Sequence, residues 1–265
     1  MLRDDAKLSI PEFFTKLSRS ASSALALDYD GTLAPFRVDR FAAVPYPGVA
    51  DLIRRIAATG RTRIVLMSGR LAEEVRHLLG VTPVPEIWGL HGRQRLHPDG
   101  RSEVLPMNDS DRETLEQAAA WIETQCLESL AEFKPGSVAV HWRGLAQEAA
   151  EEVRSRVQPA FGLLAGRPGM ALLEFDGGVE LRCSQPNKGT AVRILRSELA
   201  PDAPLACLGD DTTDEDAFRA LHGTGALTVL VRPEWRETAA EIWLRPPDEL
   251  VEFLAGWLER VEELR

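Results

Sequence analysis

Residues 24–36 read ALALDYDGTLAPF. A run of small apolar residues ends in two aspartates one residue apart, followed by a glycine and a threonine. The run reads as a buried strand. Carboxylates at its end cost free energy, and two like charges close together cost more. In extended backbone, residues i and i+2 project to the same side, so Asp28 and Asp30 can face one ligand. Gly31 permits a sharp turn after them, which leaves its amide and that of Thr32 to donate to an anion. Taken alone, the stretch is either an anion or metal site or an Asx-type turn whose acids cap backbone groups.

The pattern around it decides the fold. SALALDYD (23–30) is a strand, PGVADLIRRIAATG (47–60) a helix stopped by Gly60, and TRIVLMSG (62–69) a buried strand. LAEEVRHLLG (71–80) follows as a helix closed by Gly80, and PEIWGLHG (85–92) as a strand ending in a glycine turn. Strands and helices alternating at this spacing predict parallel βαβ units and an open α/β sheet.

The texture changes near Pro106. SDRETLEQAAAWIETQCLESLAEF (110–133) reads as one long helix, capped by Ser110 or Asp111 with Glu113 in its first turn. SVAVHWR (137–143) alternates like a half-buried strand, and LAQEAAEEVRSRV (145–157) is a second helix. MALLEFDGGVELRC (170–183) is a hairpin joined at Asp176-Gly177-Gly178. These elements make a small α+β module inserted over residues 107–182. Residues 1–106 and 183–265 form the α/β core, where the βα alternation resumes through NKGTAVRILRSELA, PLACLGDD, TDEDAFRALHG, ALTVLV and a terminal helix from Asp248.

Ligands of open parallel sheets bind at the carboxyl ends of strands. Four chemistry-bearing groups fall there: Asp28 with Asp30, Ser68 in LMSGR, Lys188 opening a helix, and GDDTTDED at 209–216. Asp214 at a helix start is favoured by the helix dipole. The dipole does not account for Asp210 and Asp211 side by side before it, whereas a hard divalent cation with oxygen ligands does. The reading therefore expects Mg²⁺, with Asp28, the Asp30 carbonyl and Asp210 as protein ligands and Asp211 and Asp214 close by. Ser68 and the glycine amides behind it suit a phosphate oxygen, although Ser-Gly is also a common turn. Lys188 in a first helical turn works against the dipole, so an anion beside it explains the placement.

Composition bounds the partners. The 265 residues carry a net charge of −10, which argues against a nucleic-acid partner held by phosphate contacts. No apolar run reaches the ~20 residues that span a bilayer. The N-terminal MLRDDAKLSIPEFF carries acids where an export signal carries bases. Three widely spaced cysteines with no CxxC pair predict neither a disulfide framework nor a zinc site, which fits the cytoplasm. The oligomeric state is not set by the sequence, and a monomer is consistent with it.

The residues DYDGT, Ser68, Lys188 and GDDTTDED together resemble the four motifs of the haloacid-dehalogenase-like phosphohydrolases. LDYDGTLAPF, MSGR, GLHG, SVAVHWR, GGVELRCSQPNKGTA and LGDDTTDEDAF resemble, more closely, the trehalose-6-phosphate phosphatases, as does ETAAEIWLRPPDELVEFL near the end. The resemblance implies a Rossmann-like core with an inserted cap. It implies Asp28 as nucleophile, Asp30 as general acid and base, and Ser68 and Lys188 as further catalytic residues. A sugar phosphate would be bound by Gly31, Thr32, Gly69, Arg70, His91, Lys134, His141, Arg143, Glu180, Arg182 and Asn187. The implied activity is Mg²⁺-dependent hydrolysis of trehalose 6-phosphate through an aspartyl-phosphate. The family often has proline after Glu-x-Arg, where this chain has Cys183.

Three alternatives stand beside it. One is a phosphatase of another glycosyl phosphate, such as glucosylglycerol phosphate. Another is a non-catalytic sugar-phosphate-binding regulator, whose mark would be loss of the nucleophile, the lysine or a metal acid; all are present here. A phosphomutase would carry its insert soon after the first motif. Only 37 residues separate Asp30 from Ser68, and they read as core turn, helix and strand.

Overall fold

A computed structural model describes residues 10–37, 39–175 and 177–262. The N-terminal segment read for an export signal lies partly outside them, as do Asp176 of the expected hairpin turn and the last three residues. In chain order the first elements are α1 (Ile10–Arg19), β1 (Ser23–Asp28), α2 (Val49–Ala58), β2 (Thr62–Met67), α3 (Ala72–Leu79), β3 (Glu86–Gly89), β4 (Gln94–Leu96) and β5 (Ser102–Val104). Next come α4 (Asp109–Thr124), β6 (Ala131–Lys134), β7 (Ser137–His141), α5 (Gln147–Ala165), β8 (Met170–Phe175) and β9 (Gly178–Cys183). The chain closes with α6 (Lys188–Glu198), β10 (Leu205–Gly209), α7 (Glu215–Leu221), β11 (Leu227–Val231), β12 (Ile242–Leu244) and α8 (Asp248–Glu262).

The backbone groups into two compact units, one of Met1–Glu103 with Asn187–Arg265 and one of Val104–Pro186. The joins fall a few residues outside those read from the sequence. The first unit is built on a sheet of order β12-β11-β10-β1-β2-β3-β4-β5. From β12 to β3 every neighbouring pair is parallel, and β4 then pairs antiparallel with β3. The expected open parallel α/β sheet is present, with an antiparallel strand added at that edge. β1 is buried at every residue, as a central strand covered on both faces must be. The strand order reverses between β1 and β10, the place where open α/β sheets form their ligand crevice.

Helix α1 was not among the sequence expectations. Its Phe13 and Leu17, four residues apart, share one face and are buried. Phe13 meets Trp257 of α8 with ring centroids 5.8 Å apart, and Phe14 meets Phe253 at 5.5 Å. The Trp257 indole nitrogen donates to the Thr62 hydroxyl at 3.0 Å, tying α8 to β2.

The second unit is an antiparallel sheet of order β6-β7-β9-β8 with two helices on one face. Val138, Val140, Val179 and Leu181 pack with Leu115 and Ile122 of α4 and with Val153, Val157 and Phe161 of α5. Period-two alternation then puts Glu132, Lys134, Ser137, His141, Glu180 and Arg182 on the opposite face. The expected hairpin forms, with Phe175 paired to Gly178. Three local expectations are corrected. The cap of α4 is Asn108, whose side chain accepts from the Asp111 amide, rather than Ser110 or Asp111. The helix also stops at Thr124 instead of running to residue 133. Cys126 adopts φ 54°, and the chain leaves it into a 3-10 turn and then β6. Finally, α5 continues beyond the expected Val157, through Pro159 to Ala165.

Candidate active site

Asp28 is the last residue of β1, and Asp210 follows the last residue of the adjacent β10. Parallel register pairs Leu27 with Leu208, so Asp28 and Asp210 leave neighbouring strand ends. Asp214 is the third member. Carboxylate oxygens of Asp28, Asp210 and Asp214 all lie within 4.8 Å of one another. The three residues are buried, Asp210 to 3% exposure.

One cation is built into this cluster. Lys188 Nζ donates to Asp28 Oδ1 at 2.6 Å and to Asp214 Oδ1 at 2.7 Å. Lys188 is the first residue of α6, after a capping box between Asn187 and Thr190. Burial opposes its charge, but Asp214 and Asp28 outweigh burial and raise its pKa. Three carboxylates and one ammonium leave a formal excess of two negative charges. The cluster responds as buried like charges do. Burial pushes Asp28 up to about 7, with Lys188 pulling it back and Asp214 adding to the rise. Burial, then Asp28 and Asp214, push Asp210 up to about 10.

The surrounding backbone is shaped to this crowding. Gly31 has φ +84°, and a Cβ there would sit 2.1 Å from Asp210 Oδ2. Its amide donates to the Ala34 carbonyl at 2.8 Å, which corrects the expectation that it serves an anion. Thr32 donates its hydroxyl to Asp28 Oδ2 at 3.0 Å. Asp214 stands at the N-cap position of α7, but its side chain makes no capping bond there. Its Oδ2 accepts instead from the amides of Asp210 and Asp211, at 3.2 and 3.1 Å.

Asp30 and Asp211 stand apart from the cluster. Arg70 holds both Asp30 oxygens in a fork, with Nε and Nη2 each at 2.6 Å, and also donates to the Arg40 carbonyl. Ser68, buried just beyond β2, accepts from the Arg70 amide at 3.1 Å. A Cβ on Gly69 would lie 2.5 Å from the His91 ring, so that glycine is needed for the close approach. Asp211 accepts from the Thr212 amide and hydroxyl. Asn187 caps α6, and its side-chain nitrogen also donates to Asp216 at 2.9 Å.

In the second unit Lys134 Nζ lies 3.2 Å from Glu132 and 3.9 Å from Glu180. Ser137 donates to Glu180 Oε1 at 2.5 Å, and the His141 ring is 3.1 Å from Glu132. Strand register aligns Ser137 with Arg182, so Lys134, His141, Glu180 and Arg182 share one polar face. Arg143 lies beyond the end of β7, where its amide donates to Gly177. Glu132 and Ser137 belong to the same network and were missed from sequence. Recognising β6 as a strand would have placed Glu132 beside Lys134.

The metal that the motifs imply suits these donors: hard oxygen ligands, an excess of buried negative charge, and an Asp210 carboxylate that no donor bonds among the described residues.

The acid cluster and its helical lysine lie at the switch point of a parallel sheet, where open α/β sheets bind their ligands. The same fold occurs in a haloacid dehalogenase-like hydrolase from B. subtilis, with TM-score 0.59, 16% identity, and coverage of 92% of this chain and 100% of that one. Residues 26–241 match the trehalose-phosphatase family, to which the chain belongs. Trehalose-phosphate phosphatase from Mycobacterium leprae is 32% identical over 249 residues, covering 87% of this chain and 56% of that protein. The C-terminal domain of trehalose-6-phosphate phosphatase from C. albicans superposes with TM-score 0.77 at 22% identity, covering 95% of this chain and 97% of that one. The chain spans 32% to 60% of the length of the first curated relatives. Among the described residues no helix is long and apolar enough to cross a membrane.

Proposed function

We propose that the chain is a Mg²⁺-dependent phosphatase that hydrolyses trehalose 6-phosphate to trehalose and phosphate, the last step of trehalose synthesis. The observation that carries the reaction class is the Asp28–Asp210–Asp214 cluster, whose three carboxylates outnumber the one ammonium, Lys188, that bonds them among the described residues. The substrate follows from the family and from the named relatives. Asp28, Asp210 and the Asp30 carbonyl would hold Mg²⁺, with Asp211 and Asp214 supporting it. When bound, the ion supplies positive charge that stabilises a transferring phosphoryl group.

The protein's own residues do the rest. Asp28, oriented by Lys188 and Thr32, is the nucleophile: one of its oxygens bonds to phosphorus as the bond to the sugar oxygen breaks. Asp30 delivers a proton to that departing oxygen. It then accepts a proton from the water that attacks phosphorus and frees Asp28. Either transfer requires Arg70 to release one Asp30 oxygen from its fork. Lys188 and the Ser68 hydroxyl interact with the phosphoryl oxygens. Specificity is assigned to the polar face of the second unit, with Glu180, Lys134, His141 and Arg182 binding sugar hydroxyls and Arg143 and His91 adding contacts.

The test is kcat/KM over a panel containing trehalose 6-phosphate, glucosylglycerol phosphate and glucose 6-phosphate. The expected result is a preference for trehalose 6-phosphate of at least about tenfold, the discrimination that one or two buried sugar contacts provide. A different best substrate would move the assignment within the same chemistry. Tight binding with no turnover of any of them would leave a sugar-phosphate-binding regulator.

A further inference from the structure

The acids at 210 and 211 sit on a loop that another part of the first unit grips. Arg236 lies in the segment between β11 and β12. Its Nε donates to the Asp210 carbonyl at 3.2 Å, and its Nη2 donates to the Asp211 carbonyl at 2.7 Å. Its Nη1 pairs with Glu215 Oε1 at 2.6 Å and donates to the Glu237 carbonyl at 2.8 Å. Arg232 adds a contact to the Asp210 carbonyl at 3.3 Å. Glu215 is itself buried and fully engaged. It also accepts from the Thr238 hydroxyl at 2.7 Å and from the Ala239 amide at 2.8 Å.

The peptide groups of residues 210 and 211 are therefore held from both sides. Asp214 takes their amides with a negative charge, and Arg236 takes their carbonyls with a positive one. The peptide group that joins 210 to 211 lies between charges of the sign its dipole prefers, N–H on Asp214 and carbonyl on Arg236, and charge-assisted hydrogen bonds are the stronger kind. Such a grip is what a buried, mutually repelling carboxylate needs if it is to stay on its neighbours. Left loose, the loop would relieve the repulsion by turning Asp210 toward water.

We infer that Arg236, braced by Glu215 and Thr238, is a positioning residue that holds the Asp210 loop ready for a divalent cation. The inference rests on the metal assignment above, and Arg236 and Thr238 lie outside the four motifs. Groups behind metal ligands commonly tune affinity by about 10–100-fold when removed.

The experiment is calorimetric titration of Mg²⁺ into the substrate-free protein, for the wild type, Arg236→Gln and Thr238→Val, with the melting temperature recorded in EDTA and in Mg²⁺. Arg236→Gln should weaken Mg²⁺ binding at least about tenfold, and Thr238→Val about two- to threefold. The melting-temperature gain on adding Mg²⁺ should shrink in the same order. At saturating Mg²⁺, kcat of Arg236→Gln should recover to within about threefold of the wild type. Unchanged Mg²⁺ affinity in Arg236→Gln would overturn the inference, even if its EDTA melting temperature fell, because the role would then be purely structural. If Arg236→Gln does not fold, unchanged affinity in Thr238→Val would overturn it equally. A wild type that takes up no Mg²⁺ would instead refute the metal assignment.

Discussion

Two charged clusters of the first unit lie toward opposite ends of the parallel strands. At the carboxyl ends, Lys188 pairs with Asp28 and Asp214 of the Asp28–Asp210–Asp214 cluster. Toward the amino ends, Glu86 accepts from Arg63 Nε at 3.0 Å and from Arg95 Nε at 2.9 Å, and Glu198 bridges the same two arginines. The Trp88 indole fills a further Glu86 bond at 2.8 Å. Helix α6 joins the two, beginning at Lys188 and ending at Glu198. The arginine–glutamate network is balanced, two charges against two, and the aspartate cluster is not. Balance is what buried charges reach when only stability is at stake, whereas a persistent excess marks a place kept for something else.

The largest effect that would sharpen this contrast is on catalysis. Asp28→Asn should lower kcat/KM for trehalose 6-phosphate by at least about a thousandfold, as loss of a nucleophile does. In EDTA its melting temperature should hold or rise, because one of the crowded negative charges is gone. A fall of several degrees would mean that the aspartate cluster serves stability after all. The smaller effect runs the other way. Glu86→Gln should cost about 1–3 kcal/mol of stability, since two arginines lose a charged partner in a buried setting. Its kcat/KM should stay within about twofold of the wild type, the scatter of substitutions remote from the chemistry. A Glu86→Gln protein as stable as the wild type would break the comparison from the other side.

How much of this was legible in the sequence depended on how local each feature is. The nearness of Asp28, Lys188 and Asp210 was readable because each follows or opens a recognisable element, and parallel topology gathers such positions. The grip of Arg236 was not, since it acts on backbone carbonyls, which every residue type presents. Its partner Glu215 lies far from it in sequence, inside a motif already read as metal-binding. The fork of Arg70 on Asp30 was hidden for a related reason: Arg70 was read toward substrate, while folding brings it onto the acid across β1 and β2. Strand β6 escaped because GluSerLeuAlaGluPhe continues the helical pattern of α4. The break comes at Cys126, which takes a positive φ with no glycine to announce it.

If the unbalanced acids hold a divalent cation for phosphoryl transfer, turnover must depend on that cation. The most direct measurement is phosphate release from trehalose 6-phosphate by the wild-type chain, first stripped with EDTA and then titrated with Mg²⁺. No release above background is expected after stripping, with saturable recovery as Mg²⁺ returns. Undiminished release in EDTA would contradict that dependence.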